Sequence, residues 1–334
     1  MRPWQPRIAP LQAARIPFEA ILQPSPFRRI NLISQKLGWP QQRFVSTLRN
    51  QKIDAVYFSQ ANDTTALPWM ELAAAHNIPF TIVTHGVNPS EWPDDPIAER
   101  LRHVFSTARR SYWVSERNRQ DFEHHIGERL ANAAHVWNPI RWERGKLLPW
   151  PDGTTPEFRL ACVAWLQARP KGHDLLIQAL ACDQWRNRDW RLSFYGTGPN
   201  RIGIERLASL LGIADKVRFM GHVSDLAEIW VDEHWLIQPS RNEGMPMSLL
   251  EAMFIGRPAI ATNVAGHGQV VADGKTGFLA ASPSVKDLNL ALEQAWVRRQ
   301  DANSMGTAAA KAIQNLMPED PIAAHVQDLL IAIS

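Results

Sequence analysis

Two doubly wound α/β domains with parallel sheets are what this sequence predicts, and three observations carry the expectation. From Asp54 onward, short apolar runs alternate with helix-length segments, the rhythm of repeated βαβ units. The rhythm breaks once, over residues 145–157, where Pro149, Pro151, Gly153 and Pro156 read as a linker. A chain of 334 residues is also long enough for two ordinary domains, each with its own core.

The opening segment is the least regular. Its first fifty residues hold seven prolines, a single glycine (Gly38) and no clear strand. Residues 54–59 (DAVYFS), 80–84 (FTIVT), 112–115 and 135–137 then read as strands, with helices expected over 67–76, 98–108 and 117–130. Past the linker, strands are expected at 159–165, 191–195, 217–220, 235–238, 259–262 and 277–280. The helices between them are expected at 175–180, 201–211, 226–230 and 247–254. The domains expected are 1–145, which looks truncated at its start, 146–316, and a C-terminal helix over 317–334 packing back on the first. Ligands of such sheets bind beyond the carboxyl ends of the strands, where most of the polar loops fall.

Composition places the chain among soluble globular proteins, with 45% apolar and 21% charged residues. No run of 18 apolar residues predicts a membrane span, and the start MRPWQPRIAPLQ lacks the apolar stretch of a secretory signal. Cys162 and Cys182 have neither metal-ligand nor redox spacing, so a cytoplasmic, reducing setting is expected. Charge is uneven. Residues 1–52 carry nine Lys or Arg against Glu19 alone, while the whole chain is only +3. With Trp4, Phe18, Phe27 and Trp39 interspersed, this end could rest on an anionic membrane surface, hold an acidic acceptor, or simply be a solvated face. No reading module for nucleic acid accompanies the charge, and none is expected as a partner.

The densest functional signal is SRNEGMPMSLLEAMFIGRP, starting at Ser240, in which seven residues separate Glu243 from Glu251. Gly244 permits close backbone approach, and Pro246 suits the first helical position. The apolar run Leu249, Leu250, Ala252, Met253 and Phe254 would bury the helix, and Gly256 with Pro258 would end it. Free N–H groups near Met247 and Ser248 make the helix start a phosphate site. Carboxylates on either side of a phosphate suit vicinal hydroxyls, so the pattern points to a sugar nucleotide. Lys171-Gly172, after a strand and polar loop, places an ammonium at the same sheet end, where it can balance a diphosphate. Gly196 and Gly198 after a strand suggest a dinucleotide fingerprint, but its third glycine falls on Arg201. A glycine turn serving architecture fits better, and a nicotinamide oxidoreductase is disfavoured.

Together these residues resemble a glycosyltransferase of family 4, the retaining, nucleotide-sugar-dependent enzymes with the GT-B fold: two Rossmann-like domains facing across a cleft. The resemblance covers about 155–280. It runs through Lys171-Gly172, the turn at Gly196 and Gly198, 217–223 with Asp225, Gln238-Pro239-Ser240, Glu243 to Glu251, Gly256-Arg257-Pro258, and 274–278. In the first half it rests on Thr84-His85-Gly86 and Asn138-Pro139.

The resemblance implies transfer of a hexose from a UDP- or GDP-sugar to a glycan or lipid-linked acceptor in cell-surface polysaccharide synthesis. It implies catalytic roles for Glu243 near the reacting sugar, for Lys171 on the diphosphate and for His85 at the cleft edge, although a purely structural His85 fits equally well. Donor-binding residues would be Glu251 on the ribose, Gly244, Met245, Met247 and Ser248 around the phosphates, and Arg169. No cofactor or metal is expected, because no Asp-x-Asp motif occurs. A cytoplasmic enzyme, peripheral at the inner membrane face, is the corresponding location. The chain departs from the family at Trp165, where an Arg is usual, and at Ala265 and Gln269, which replace a Gly and an acid. Those departures leave a catalytically impaired sugar-nucleotide-binding homologue as the alternative.

Overall fold

Apolar runs at both ends of the linker fold into two separate parallel sheets. The computed structural model describes residues 39–50, 53–151 and 157–334. The basic aromatic stretch containing Trp4, Phe18 and Phe27, most of the irregular opening segment and part of the linker lie outside the described residues.

The N-terminal half runs α1 (Trp39–Asn50), β1 (Val56–Gln60), α2 (Leu67–Ala75), β2 (Phe80–Thr84), α3 (Asp95–Thr107), β3 (Arg110–Trp113), α4 (Glu116–Ile126) and β4 (Ala133–His135). Its strands pair in parallel in the order β1-β2-β3-β4. Consecutive parallel strands joined by right-handed crossovers put the connecting helices on one face. There Met70, Leu101, Phe105 and Phe122 pack on Phe58, Phe80, Ile82 and Trp113. β3 and β4 each begin two residues before the expected start, because pairing extends through Arg110 and Ala133, which apolarity alone does not mark. Asp94 caps α3 by accepting from the Ile97 N–H (3.0 Å), which starts that helix earlier than its apolar face does. α4 stops at Ile126 rather than Leu130, at Gly127.

The C-terminal half runs β5 (Phe158–Val163), α5 (Ala168–Lys171), α6 (His173–Leu180), α7 (Asp183–Arg186), β6 (Trp190–Tyr195), α8 (Arg201–Leu210) and β7 (Val217–Gly221). It continues through α9 (Leu226–Trp230), β8 (Trp235–Gln238), α10 (Met247–Phe254), β9 (Ala259–Thr262), α11 (His267–Val270) and β10 (Gly277–Ala280). Two helices that the sequence reading did not delimit follow, α12 (Val285–Val297) and α13 (Ala302–Leu316), before α14 (Pro321–Ile333). The strand order is β10-β9-β8-β5-β6-β7. Counted within the domain this is the 3-2-1-4-5-6 order, with its reversal between β5 and β8. Every residue of β6, β8 and β9 is buried, as expected of parallel strands covered on both faces.

Two devices join the halves. Arg257, 1% exposed, donates to the carbonyls of Pro149 (2.6 Å), Leu148 (3.3 Å) and Trp230 (2.8 Å), pinning the linker to the C-terminal domain. Burial pushes its pKa down to about 10, which leaves it charged at neutral pH. At the chain end, α14 lies against the N-terminal sheet. His325 Nε2 is 2.9 Å from the Tyr57 hydroxyl, and Arg110 pairs with Asp328 at 3.1 Å.

Candidate active site

The strand reversal determines which loops meet. The loop after β5 and the loop after β8 leave neighbouring strands in opposite directions and open a crevice between them. A Cβ on Gly172 would lie 1.9 Å from the Pro239 carbonyl, so the two loops touch there only because this residue has no side chain. That contact brings Lys171 to Glu243. The ammonium lies 2.7 and 2.9 Å from the two carboxylate oxygens, and Ser240 Oγ (2.7 Å) and Gln238 Nε2 (3.3 Å) donate to the same carboxylate. The Glu243 side chain is 7% exposed, so this is a buried, charge-assisted pair.

Below it, Arg241 forms a second clamp that sequence reasoning missed. Its guanidinium bridges both oxygens of Asp174 (2.8 and 2.7 Å), and its backbone N–H donates to Pro170 (2.8 Å). The only signal in the sequence was an arginine beside the Glu243 loop and an acid in the first turn of α6.

α10 covers the residues expected of it, but Pro246 precedes it as cap and is not its first helical residue. Pro246 is the N-cap, with extended backbone angles, and its carbonyl accepts from Leu249 (3.2 Å) and Leu250 (3.3 Å). Met247 and Ser248 therefore occupy the first two helical positions, whose N–H groups precede any intrahelical bond. Met245 turns the other way. Its side chain is buried with Leu249, Leu250 and Val270, so only its backbone can face a ligand. Glu251 is half-buried, and among the described residues no hydrogen bond engages its carboxylate. Burial raises its pKa, and Arg141 partly offsets the rise.

Across the crevice stands the N-terminal half. A Cβ on Gly244 would fall 1.7 Å from the His85 carbonyl, so the Glu243-Gly244 turn and the end of β2 meet backbone to backbone. His85 Nε2 is 3.3 Å from Ser59 Oγ, and burial lowers the pKa of the ring, favouring the neutral form. Asn118 donates to the Glu243 carbonyl at 3.2 Å. Gln269, standing where the family has an acid, accepts from the Glu116 N–H at 3.0 Å and lies 3.3 Å from His135 Nε2. Ala265, in place of the family's glycine, keeps a left-handed backbone with φ 45°.

Lys171, Glu243, Gly244, His85, Met247 and Ser248 thus share one crevice, and Glu251 lies further along α10. Arg169 is exposed on the wall of a cleft of about 540 Å³ between the halves, opposite Asp63, Gly86 and Glu91. Trp165, 55% exposed, follows β5. Gly196 and Gly198 are architectural. A Cβ on either would strike the carbonyl of Ala164 (2.0 Å) or Leu166 (2.4 Å). Among the described residues no cluster of three or more His, Cys, Asp or Glu could hold a metal ion, and no helix is long and apolar enough to cross a membrane.

Two facing parallel α/β domains with a strand reversal and acids around a helix start define a GT-B architecture. Anabaena HepE, solved in complex with UDP, has this fold: the TM-score is 0.75 at 16% identity, covering 96% of this chain and 88% of that one. TarM superposes with a TM-score of 0.71, also at 16% identity, over 88% of this chain and 58% of that one. Residues 155–312 match the family Glycosyl transferases group 1. Over 304 residues the chain is 30% identical to the GDP-mannose-dependent alpha-(1-6)-phosphatidylinositol monomannoside mannosyltransferase of Mycobacterium tuberculosis, covering 83% of this chain and 76% of that one. The chain belongs to the glycosyl transferases of group 1. Other similarities are partial. An exopolysaccharide phosphotransferase of Streptomyces coelicolor is 29% identical over 187 residues, which is 54% of this chain and 19% of that protein. The chain likewise spans 34% of an uncharacterized glycosyltransferase of Haemophilus influenzae.

Proposed function

We propose that this protein is a retaining, family 4 glycosyltransferase that moves a hexose from a UDP- or GDP-sugar to a glycan or lipid-linked acceptor in cell-surface polysaccharide synthesis. The observation that carries the reading is the Lys171–Glu243 pair beside the first turn of α10, at the strand reversal. An ammonium, two free N–H groups and the positive end of a helix converge where a diphosphate would lie. In the ligand-free arrangement Glu243 neutralises Lys171. An arriving diphosphate would take over the ammonium and leave Glu243 to accept hydroxyls of the donor sugar. Glu251, without a bonded partner, would accept the ribose hydroxyls, and Arg169 would stand in for the arginine replaced by Trp165.

Chemistry would proceed by same-face attack on an oxocarbenium-like centre. As the bond to the anomeric carbon breaks, negative charge would collect on the diphosphate, where Lys171 and the α10 N–H groups stabilise it. No metal is assigned to this step, since the chain has no Asp-x-Asp motif. Neutral His85 can hydrogen-bond a sugar hydroxyl. The GDP-mannose dependence of the mycobacterial relative and the UDP held by HepE support a nucleotide-sugar donor. A cytoplasmic enzyme at the inner membrane face suits a lipid-linked acceptor, with the basic segment 1–52 supplying contact.

The test is a donor panel: UDP- and GDP-hexoses incubated with purified protein, with nucleotide release as readout. Release from one or a few donors, lost in Lys171→Ala, is expected. No release from any donor by folded protein defeats the reading. Trp165, exposed where the family keeps an arginine, favours a second reading, a binding homologue without turnover. Donor binding by calorimetry with no release, and no release from Trp165→Arg, would select it.

A further inference from the structure

The cleft wall contributed by the N-terminal half has a chemistry that the donor reading does not use. Asp63 lines it and is 9% exposed. Behind Asp63 lies His125, 4% exposed, with Nδ1 at 3.8 Å from the Asp63 carboxylate, too far for a hydrogen bond. Among the described residues that Nδ1 has no hydrogen-bond partner. A buried polar atom left unpaired costs free energy, so this dyad is poised to gain a further partner rather than being complete in itself.

The surrounding loop is tied down by the Gln60 side chain. The buried Gln60 amide donates to the Asp63 carbonyl (3.3 Å) and to Thr84 Oγ1 (3.1 Å), while its oxygen accepts from the Ala66 N–H (3.1 Å). Trp92 sits between two lining residues, Glu91 and Pro93. It is 65% exposed, and its ring meets His125 edge-on at 5.1 Å. A large aromatic left in water beside a cleft is an informative exception to burial, and it offers a flat apolar face next to a hydroxyl acceptor.

From this geometry we infer that Asp63, backed by His125, and the indole of Trp92 form the subsite for an uncharged sugar ring of the acceptor. The inference rests on the transferase reading given above and deepens it by naming the acceptor class. A carboxylate accepts hydrogen bonds from two hydroxyls, and Asn88 and Ser90 add neutral partners on the same wall. Phosphorylated or uronate rings are disfavoured because Asp63 and Glu91 would both repel them. The arginines on the facing wall offset this repulsion only in part. Arg241 is held by both oxygens of Asp174, which leaves Arg169, exposed in the same cleft, as one positive charge against the two carboxylates. Burial raises the Asp63 pKa, and the neighbouring His125 opposes that rise.

Binding to the full chain can be read by saturation-transfer NMR without any turnover. The probes are methyl α-mannopyranoside and methyl α-glucopyranoside against mannose 6-phosphate and glucuronate. Neutral glycosides are expected to bind roughly tenfold more tightly than the anions, and Asp63→Asn and Trp92→Ala should each weaken them by roughly tenfold. Trp92 is exposed, so its variant separates loss of a ligand contact from loss of fold. Preference for the anions, no glycoside binding, or equal binding by both variants overturns the inference. Nucleotide release by the wild type, measured in parallel, reports on the transferase reading separately, so either idea can fail while the other stands.

Discussion

The two halves handle polar groups in opposite ways. In the C-terminal half two charge pairs at the crevice are already made, Lys171 with Glu243 and Arg241 with Asp174, while the Glu251 carboxylate further along α10 has no hydrogen bond among the described residues. In the N-terminal half the polar side chains facing the cleft are under-partnered, with Asp63 and His125 3.8 Å apart and the imidazole of His85 touching only Ser59 at 3.3 Å. The difference follows from topology. A strand reversal between β5 and β8 forces two loops together, so opposite charges meet before any ligand arrives. The sequential order β1-β2-β3-β4 contains no reversal, and its loops form a wall rather than a crevice. In the proposed reading one half is preorganised for a diphosphate, and the other presents acceptors to hydroxyls.

The largest expected effect tests that division directly. Lys171→Ala removes the ammonium proposed to meet the leaving diphosphate and should lower nucleotide release by about a hundred- to a thousandfold. It also strands Glu243, 7% exposed, so a stability loss of up to about 3 kcal/mol in urea unfolding should accompany it. His85→Ala, on the opposite wall, should cost only about tenfold, the scale of one neutral hydrogen bond. If His85→Ala costs as much as Lys171→Ala, the division of labour between the halves is wrong.

The same asymmetry governs how much could be read from sequence. β8 and β9 lie where their apolar runs put them, because central parallel strands are buried on both faces, and the edge strand β10 also falls on its apolar run. Around the site, Lys171 and Glu243 could be singled out separately, each by its own loop and helix start, but their pairing could not. It depends on Gly172 passing the Pro239 carbonyl, a contact between loops far apart in the chain. Arg241 and Asn118 were missed for the same reason, and Gln269 stood out only as a departure from the family, since each gains meaning from a partner across a loop or a domain boundary. The assignment of Pro246 as first helical residue slipped by one position because capping geometry, not composition, decides it.

Two further experiments sharpen the contrast between a charge-satisfied half and its connections. Arg257→Met leaves three linker and helix carbonyls, those of Leu148, Pro149 and Trp230, without their donor, and should cost about 3 kcal/mol in urea unfolding. An unchanged midpoint would mean that the linker is held by packing alone.

Glu233, buried in the C-terminal half, is only partly satisfied. Tyr195 donates to it at 3.0 Å and Arg191 lies 3.6 Å from the same oxygen, but among the described residues its other oxygen has no hydrogen-bond partner, and burial pushes its pKa up to about 7 from 4.5. The folded state then binds more protons than the unfolded state between those values, so this group's contribution falls as pH rises from about 4.5 to about 7. Glu233→Gln should therefore gain about 2 kcal/mol relative to wild type at pH 8 and much less at pH 5. Equal gains at both pH values would show that the carboxyl is not protonated in the fold.

The smallest expected effect concerns the seam between the halves. Gln269 accepts from the Glu116 N–H at 3.0 Å and reaches His135, so a residue on the C-terminal side engages the first turn of α4. An acid at this position would also accept from that N–H and would add charge next to the donor crevice. Glutamine keeps the bond and drops the charge. Gln269→Ala should loosen the seam by about 1 kcal/mol, one neutral hydrogen bond, and raise the donor KM by about fivefold with kcat less affected. Gln269→Glu should keep the seam, so its donor KM separates the role of the contact from that of the charge. If Ala and Glu variants shift KM equally, the contact is not what holds the halves in register, and the His85–Gly244 and Asn118–Glu243 contacts must do so without it.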